Sequence, residues 1–220
     1  MFEEVVAIDG PAGSGKSTVA REVAKRLGFL YLDTGAMYRA VALMAKRSGL
    51  GPDDGEEAAR LAEGSEIRFG PGEPQRVLLN GEDVTDEIRT MEIGELASAL
   101  SAFSPVRRVL VARQKRMAEQ GRVVMEGRDT TTVVCPDARL KVFLSASEAE
   151  RARRRWREFK ERGQDADLQD IREQTNRRDE RDSTRADSPL TVAEGAVIIE
   201  TNSLSVGQVV EAVLAAWRGV

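Results

Sequence analysis

Gly10-Pro11-Ala12-Gly13-Ser14-Gly15-Lys16-Ser17 is the stretch on which the reading of this chain turns. It fits the phosphate-loop pattern G-x-x-x-x-G-K-[ST] without a mismatch. Immediately before it, Val5-Val6-Ala7-Ile8 is a short β-branched run that reads as a buried strand. Immediately after it, Val19, Ala20, Val23, Ala24 and Leu27 recur at helical spacing, and Gly28 supplies the stop. Strand, glycine loop and helix, in that order, give the pattern its structural context. Gly10, Gly13 and Gly15 let the backbone curl so that N–H groups converge on a polyphosphate. The helix beginning near Lys16 adds its positive end. Lys16 is expected to reach the outer phosphates, and the Ser17 hydroxyl to take a place on Mg²⁺. The chain is therefore expected to bind a nucleoside triphosphate.

Further out, residues 29–32 read as a second strand ending at Asp33-Thr34-Gly35. A helix with Met37, Val41 and Met44 on one face follows, closed by Gly49. Strand, helix, strand, helix predicts a parallel sheet with right-handed crossovers. Ligands of such sheets sit beyond the carboxyl ends of the strands, where Asp33, Thr34 and Arg39 fall. From 51 to about 90 the chain turns polar and is broken by proline and glycine. Within it, 76–79 and 82–85 flank Asn80-Gly81, a two-residue hairpin signal, and 67–69 offer a third strand. This region is expected to be a small antiparallel insertion standing off the core. Two helices come next, one with Ile93, Leu96, Ala97 and Leu100 inward, the other opened by Pro105. Runs at 123–125, 140–144 and 197–199 complete a five-stranded parallel sheet with helices on both faces. The last helix presents Val206, Val209, Val210, Val213, Leu214 and Trp217 as core.

Charge narrows the chemistry. The 220 residues carry 33 basic and 37 acidic side chains, a net −4. A nucleic-acid partner usually draws a basic excess, so none is expected. No apolar run is long enough to cross a membrane, and no leader pattern precedes the glycine loop, so a cytoplasmic protein is expected. With no histidine and a single cysteine, Cys135, neither a Ser-His or Cys-His nucleophile nor a Cys/His zinc site is available. The chemistry is left to Lys, Arg, Asp, Glu, Mg²⁺ and backbone. Residues 147–187 are densely charged, and much of that run fits a solvated helix with i,i+4 pairs such as Glu150 with Arg154. Its second half differs: Arg178, Arg181, Asp182 and Arg185 share one helical face, as an arginine lid over phosphates would require. A single domain is expected, with the insertion at about 51–90 and the lid at about 147–187.

Nearly the whole chain resembles the bacterial cytidylate kinases, the CMP/dCMP kinases among nucleoside monophosphate kinases. The marks are the loop with Ile8-Asp9 before it, 32–39 (LDTGAMYR), Asn80-Gly81-Glu82-Asp83-Val84-Thr85 with Ile88-Arg89-Thr90, Glu126-Gly127-Arg128-Asp129, and Arg178-Asp179-Glu180-Arg181-Asp182. The first is shared by many ATPases; the second and the insertion are far more specific. The resemblance implies ATP and Mg²⁺ as cofactors, CMP and dCMP as acceptors, and a monomer. It implies ATP contacts along Gly10, Pro11, Ala12, Gly13, Ser14, Gly15, Lys16, Ser17 and Thr18, with Arg151 and Arg155 serving the lid. By the same resemblance Thr34, Ser98, Arg107 and Asp129 match positions that contact cytosine, and Arg185 one near base and phosphate. Arg178 and Asp182 match residues at the ribose, and Arg39 and Arg128 arginines on the acceptor phosphate. Asp33 is expected beside that acceptor. Lys16, Arg128, Asp129 and Arg185 form the expected catalytic set. A dianionic acceptor phosphate is already a nucleophile, so positioning and charge neutralisation suffice.

Three positions depart from the pattern. Thr34 stands where serine is common, Thr131 where glycine often follows the Arg-Asp pair, and Ser183-Thr184 where Arg-Asn is frequent. For Ser98 and Thr34 a small helix or capping residue stays an alternative. A GTP switch would need Asn-Lys-x-Asp, and the nearest string, Asn176-Arg177-Arg178-Asp179, lacks the lysine. Another acceptor such as UMP, AMP or shikimate, and a catalytically silent nucleotide-binding module, are the remaining competitors.

Overall fold

The structure, a computed structural model, describes residues 2–161, 163–165 and 167–220. Arg162 and Ala166 of the expected lid lie outside the described residues. In β1 (Phe2–Asp9), Val5, Val6, Ala7 and Ile8 are all fully buried, as a strand covered on both faces demands. The glycine loop leads into α1 (Lys16–Leu27), which ends on Gly28. Next come β2 (Leu30–Asp33) and α2 (Thr34–Arg47), whose N-terminus is capped by the Asp33 carboxylate accepting from Ala36 N–H.

A helix the sequence reading did not anticipate, α3 (Gly55–Gly64), follows. The glycine at its start looks like a break but answers to packing. A Cβ on Gly55 would stand 2.1 Å from the ring of Phe103, so only glycine admits that contact. Then β3 (Ile67–Gly70), β4 (Arg76–Leu79) and β5 (Glu82–Asp83) pair antiparallel in that order. The hairpin is where Asn80-Gly81 predicts it, with φ of 51° and 86° and Leu79 opposite Glu82. α4 (Met91–Leu100) and α5 (Ser104–Ala118) complete this part.

β6 (Val123–Gly127) returns to the parallel sheet and runs into a single wide helical turn, Thr130–Val134. β7 (Ala138–Ser145), the charged helices α6 (Glu148–Glu161) and α7 (Leu168–Thr184), β8 (Val197–Glu200) and α8 (Val206–Gly219) finish the chain. α8 opens with a reciprocal capping box between Ser205 and Gln208. The five-stranded sheet has the order β2-β6-β1-β7-β8, with β1 parallel to β6 and β7 and β8 parallel to β7. Strand order reverses about β1, so the crevice at its carboxyl end falls on the glycine loop.

The chain divides into two units: the first runs to Tyr31 and again over Ala118–Val220, the second is Leu32–Met117. In the first, Val6, Ile8, Leu140, Val142 and Leu144 of the sheet pack with Val19 and Val23 of α1 and Val209 and Val213 of α8. In the second, the small antiparallel sheet is separate from the parallel one and packs on helices of its own unit. Ile67, Val77, Leu79, Val84 and Ile88 join Met37 and Val41 of α2, Ala58 and Ala62 of α3, and Leu100 of α4 in one apolar cluster. β3 and β4 hide apolar residues among polar ones, Ile67 in the first and Val77 and Leu79 in the second, and those residues need the helices to leave water. Ile88 is fully buried. Ile88→Ala is expected to cost about 2–5 kcal/mol in urea denaturation. A loss below about 1 kcal/mol is what a free-standing insertion would give, because the methylenes removed would then be half solvated.

Candidate active site

In the first unit the loop's shape is set by what its carbonyls are tied to. Pro11 O accepts from Lys16 Nζ at 2.8 Å and Ala12 O from Arg151 Nη1 at 3.1 Å. Ser14 O accepts from Thr201 Oγ1 at 3.2 Å and Arg154 Nη1 at 3.4 Å. Because each peptide is planar, a carbonyl drawn one way turns the next N–H the other way. The Gly13 and Gly15 amides therefore point away from Arg151, Arg154 and Thr201. Gly13, at φ 75°, lies so close to α6 that a Cβ would meet Arg151 O at 2.6 Å. α1 starts at Lys16 with no side-chain cap and no acidic residue in its first turn, so its positive end is available to an anion. Ser17 and Thr18, its next residues, are exposed.

Lys16 is buried, 5% exposed. Burial first, and then the Arg128 guanidinium, pull its pKa down to about 7. Glu126 opposes this, Arg178 adds to it, and Asp9 works with Glu126. Glu126 is itself buried and accepts from Tyr31 Oη at 2.9 Å.

Beside the lysine, guanidiniums gather around one buried carboxylate, Asp182. Arg128 Nε donates to Asp182 Oδ2 at 2.9 Å, Arg185 Nη1 stands 3.6 Å from Oδ1, and Arg178 Nε 3.9 Å from Oδ2. Burial pushes the Asp182 pKa up; Arg128, Arg178 and Arg185 overcome that and hold it below the usual carboxylate value. Burial likewise opposes the charge on Arg128, but Asp182 outweighs it and raises the Arg128 pKa. Asp129 Oδ1 lies 4.0 Å from Arg185 Nη2. Three guanidiniums thus gather on Asp182, with Asp129 beside Arg185.

The expected lid residues divide. Arg151 commits its guanidinium to Ala12 O, Ala146 O and the Asp179 carboxylate, while Asp179 also accepts from Ala12 N–H at 3.3 Å. Arg155 lies over the Phe159 ring at 5.4 Å. The Ser183 and Thr184 hydroxyls donate back to Glu180 O at 3.1 and 2.7 Å. Asp182, expected at the ribose, faces the arginines. Sequence reasoning did not select Arg154, Asp179, Thr201 or Asp9. Their partners lie far away along the chain, 167 positions for Asp179 and Ala12, and no local spacing marks them.

In the second unit, Asp33 both caps α2 and accepts from Arg39 Nη2 at 2.7 Å. Burial would raise its pKa; Arg39 and the Ala36 N–H bring it below the ordinary value. Thr34, the first residue of α2, is buried. Ser98 is buried on α4 and its carbonyl accepts from Ser101 Oγ at 2.8 Å. Arg107, 1% exposed, donates to Ser101 O at 3.3 Å and sets its guanidinium over the Tyr38 ring at 5.8 Å. Asp33 with Arg39, and Ser98 with Arg107 through Ser101, are the groupings formed here.

A family model described as Cytidylate kinase matches residues 6–218. A cytidylate kinase of Geobacter sp. strain M21 is 50% identical over 208 residues, 94% of this chain and 89% of the relative. One of Caldanaerobacter subterraneus is 48% identical over 213 residues, 97% of this chain and 94% of its own. Among solved structures, an uncharacterized protein from Eubacterium ventriosum aligns with TM-score 0.57 at 10% identity, covering 99% of this chain and 100% of that one. A gluconokinase from Sinorhizobium meliloti aligns at 0.51 and 17%, covering 99% and 93%. At those identities the structures speak for the fold alone.

The lowered Lys16 pKa has a measurable sign. A polyphosphate favours the charged amine, so triphosphate binding should draw in a proton wherever free Lys16 is neutral. Calorimetry in buffers of different ionisation enthalpy is expected to show uptake close to a full proton at about pH 8, fading towards zero below about pH 6. Uptake independent of pH across that window would show that Lys16 is charged throughout.

Proposed function

The chain belongs to the cytidylate kinase family, and on that premise we propose how its residues carry phosphoryl transfer from ATP to CMP. It is an ATP-dependent phosphotransferase, and cytidylate is its acceptor. An oxygen of the CMP phosphate forms the new bond to the γ-phosphorus as the bond to the β,γ-bridging oxygen breaks, and CDP and ADP leave. dCMP is proposed as a second acceptor.

On the donor side, the N–H groups of the glycine loop, those of Gly13 and Gly15 among them, cradle the phosphates and Lys16 spans the outer ones. The carbonyls held outward on Ala12 and Ser14 support this. Arg151 is assigned to holding the loop and Arg155 to the lid, with their contacts to Ala12 and Phe159 as support. For Mg²⁺, the exposed Ser17 hydroxyl on the first turn of α1 is a hard oxygen donor that suits an ion otherwise held by phosphate oxygens and water. When bound there, Mg²⁺ neutralises charge on the transferring phosphates. Among the described residues no cluster of three or more His, Cys, Asp or Glu would hold an ion by itself.

On the acceptor side, Arg128, with Arg178 and Arg185 near it, is assigned to the dianionic phosphate and the charge that develops on the transferred group. The observation that carries this is the gathering of three guanidiniums on one buried carboxylate, Asp182, close to Lys16. Asp129 is assigned to the cytosine amino group, an acceptor for a donor. In the second unit Arg39 is assigned to the acceptor phosphate, oriented by Asp33, and Thr34, Ser98 and Arg107 to the base. The ribose is assigned to Arg178 and Asp182. Among the described residues no helix is long and apolar enough to cross a membrane. A cytoplasmic monomer without a nucleic-acid partner completes the proposal.

ADP release from ATP and Mg²⁺ should be led by CMP and dCMP when CMP, dCMP, UMP and AMP are offered separately. A lead by UMP or AMP would keep the transfer chemistry and discard the base-side roles. Lys16→Ala should abolish turnover, whereas a silent binding module would have none to lose. Asp129→Ala should raise the KM for CMP by roughly 10- to 100-fold with little change in ATP binding, the worth of a hydrogen bond to a charged group. Equal losses on both substrates would remove Asp129 from the base.

A further inference from the structure

One buried carboxylate of the first unit has no part in the transfer described above. Asp9, the last residue of β1, is fully buried and pairs in register with Gly127 of β6. Each of its oxygens accepts two bonds. Oδ1 takes Thr130 N–H at 3.0 Å and Thr130 Oγ1 at 2.6 Å. Oδ2 takes Thr131 N–H at 2.7 Å and Thr131 Oγ1 at 2.6 Å. Thr130 and Thr131 are buried as completely as Asp9. A carboxylate accepts only, so both hydroxyls must donate, and their rotors are locked.

Those amides open the wide turn Thr130–Val134 and have no acceptor within it. The residue placed to cap them is Asp129, the N-cap by position, and Asp is a preferred cap. Yet Asp129 makes no cap bond. Its carboxylate lies instead near Arg185. Asp9, reaching across from the neighbouring strand, has taken over the cap.

We infer that Asp9, Thr130 and Thr131 form a positioning device: by capping the 130–134 turn from outside, they keep the Asp129 carboxylate turned to the acceptor and fix the backbone that carries Arg128. The inference rests on the acceptor-side reading of Arg128 and Asp129. It also gives a role to Thr131, where the resemblance leads to an expectation of glycine. Glycine supplies only the N–H; threonine adds a second donor to the same oxygen. The effect should fall on the acceptor. The phosphate loop has its own ties, through Lys16, Arg151, Arg154 and Thr201, whereas residues 129–131 lean on Asp9.

The test removes the hydroxyls and leaves Asp9 in place, because the Asp9 charge also bears on Lys16. In the Thr130→Val, Thr131→Val double variant, the KM for CMP should rise roughly ten-fold and kcat fall several-fold, as expected of a displaced catalytic group. The KM for ATP should stay within about two-fold of the parent, since the loop ties are untouched. Thr130→Ser with Thr131→Ser, which keeps both donors, should restore the low CMP KM. If the double valine variant does not fold, Thr131→Val alone is measured against the same criteria. A lowered melting temperature with both KM values and kcat unchanged would make the cluster merely structural and overturn the inference. So would an equal rise in both KM values. Should the parent enzyme fail to turn over CMP at all, the acceptor reading itself falls and takes this inference with it. Valine variants indistinguishable from an active parent overturn the inference alone.

Discussion

Lys16, Arg128 and Arg178 lie close enough, and far enough from water, that the arginines lower the lysine's hold on its proton. Cations held together out of solvent are unstable company unless something negative stands among them. In the resting protein that role falls to Glu126, Asp9 and above all Asp182, which draws in Arg128, Arg178 and Arg185. Much of the first unit reads as provision for this cluster. β6 ends at the point that delivers Glu126 and Arg128, and α7 is placed so that one of its faces brings Arg178 and Asp182. A substrate phosphate dianion would meet cations already gathered, with their desolvation already carried by the fold.

The same residue type serves unlike ends in this chain. Arg151 and Arg154 hold the carbonyls of the phosphate loop, and Arg113 ties off the C-terminal carbonyls Ala62 O and Glu63 O of α3. Arg107 spreads over an aromatic ring. Arg128 and Arg185 turn to carboxylates. A planar fork of donors suits all of these tasks, so composition alone does not sort them.

What was legible in the sequence follows that division. The glycine loop, the stop at Gly28 and the hairpin at Asn80-Gly81 are local events, each encoded within a few residues, and they lie where the residues say. The parallel sheet was legible because its strands carry short apolar runs, such as Val5-Val6-Ala7-Ile8 and Val197-Ile198-Ile199. α3 was hidden: its buried face is built of Ala58, Ala59 and Ala62, too small to stand out, and its opening glycine serves packing against Phe103. The packing of the small sheet was hidden for a related reason, since alternate apolar residues in a charged stretch do not announce the helices that will cover them. Family resemblance gave roles to the expected acceptor residues, but none to Asp9, Arg154, Asp179 or Thr201. Those act through partners that only the folded chain brings near, and aspartate or threonine at a strand end carries no mark of it.

Ala12 is gripped on both sides, its N–H by Asp179 of α7 and its carbonyl by Arg151 of α6. The resonance frequency of that single amide depends on a carboxylate borne by a helix far along the chain. A spectroscopist observing Ala12 therefore watches α7 without attaching a dye to it.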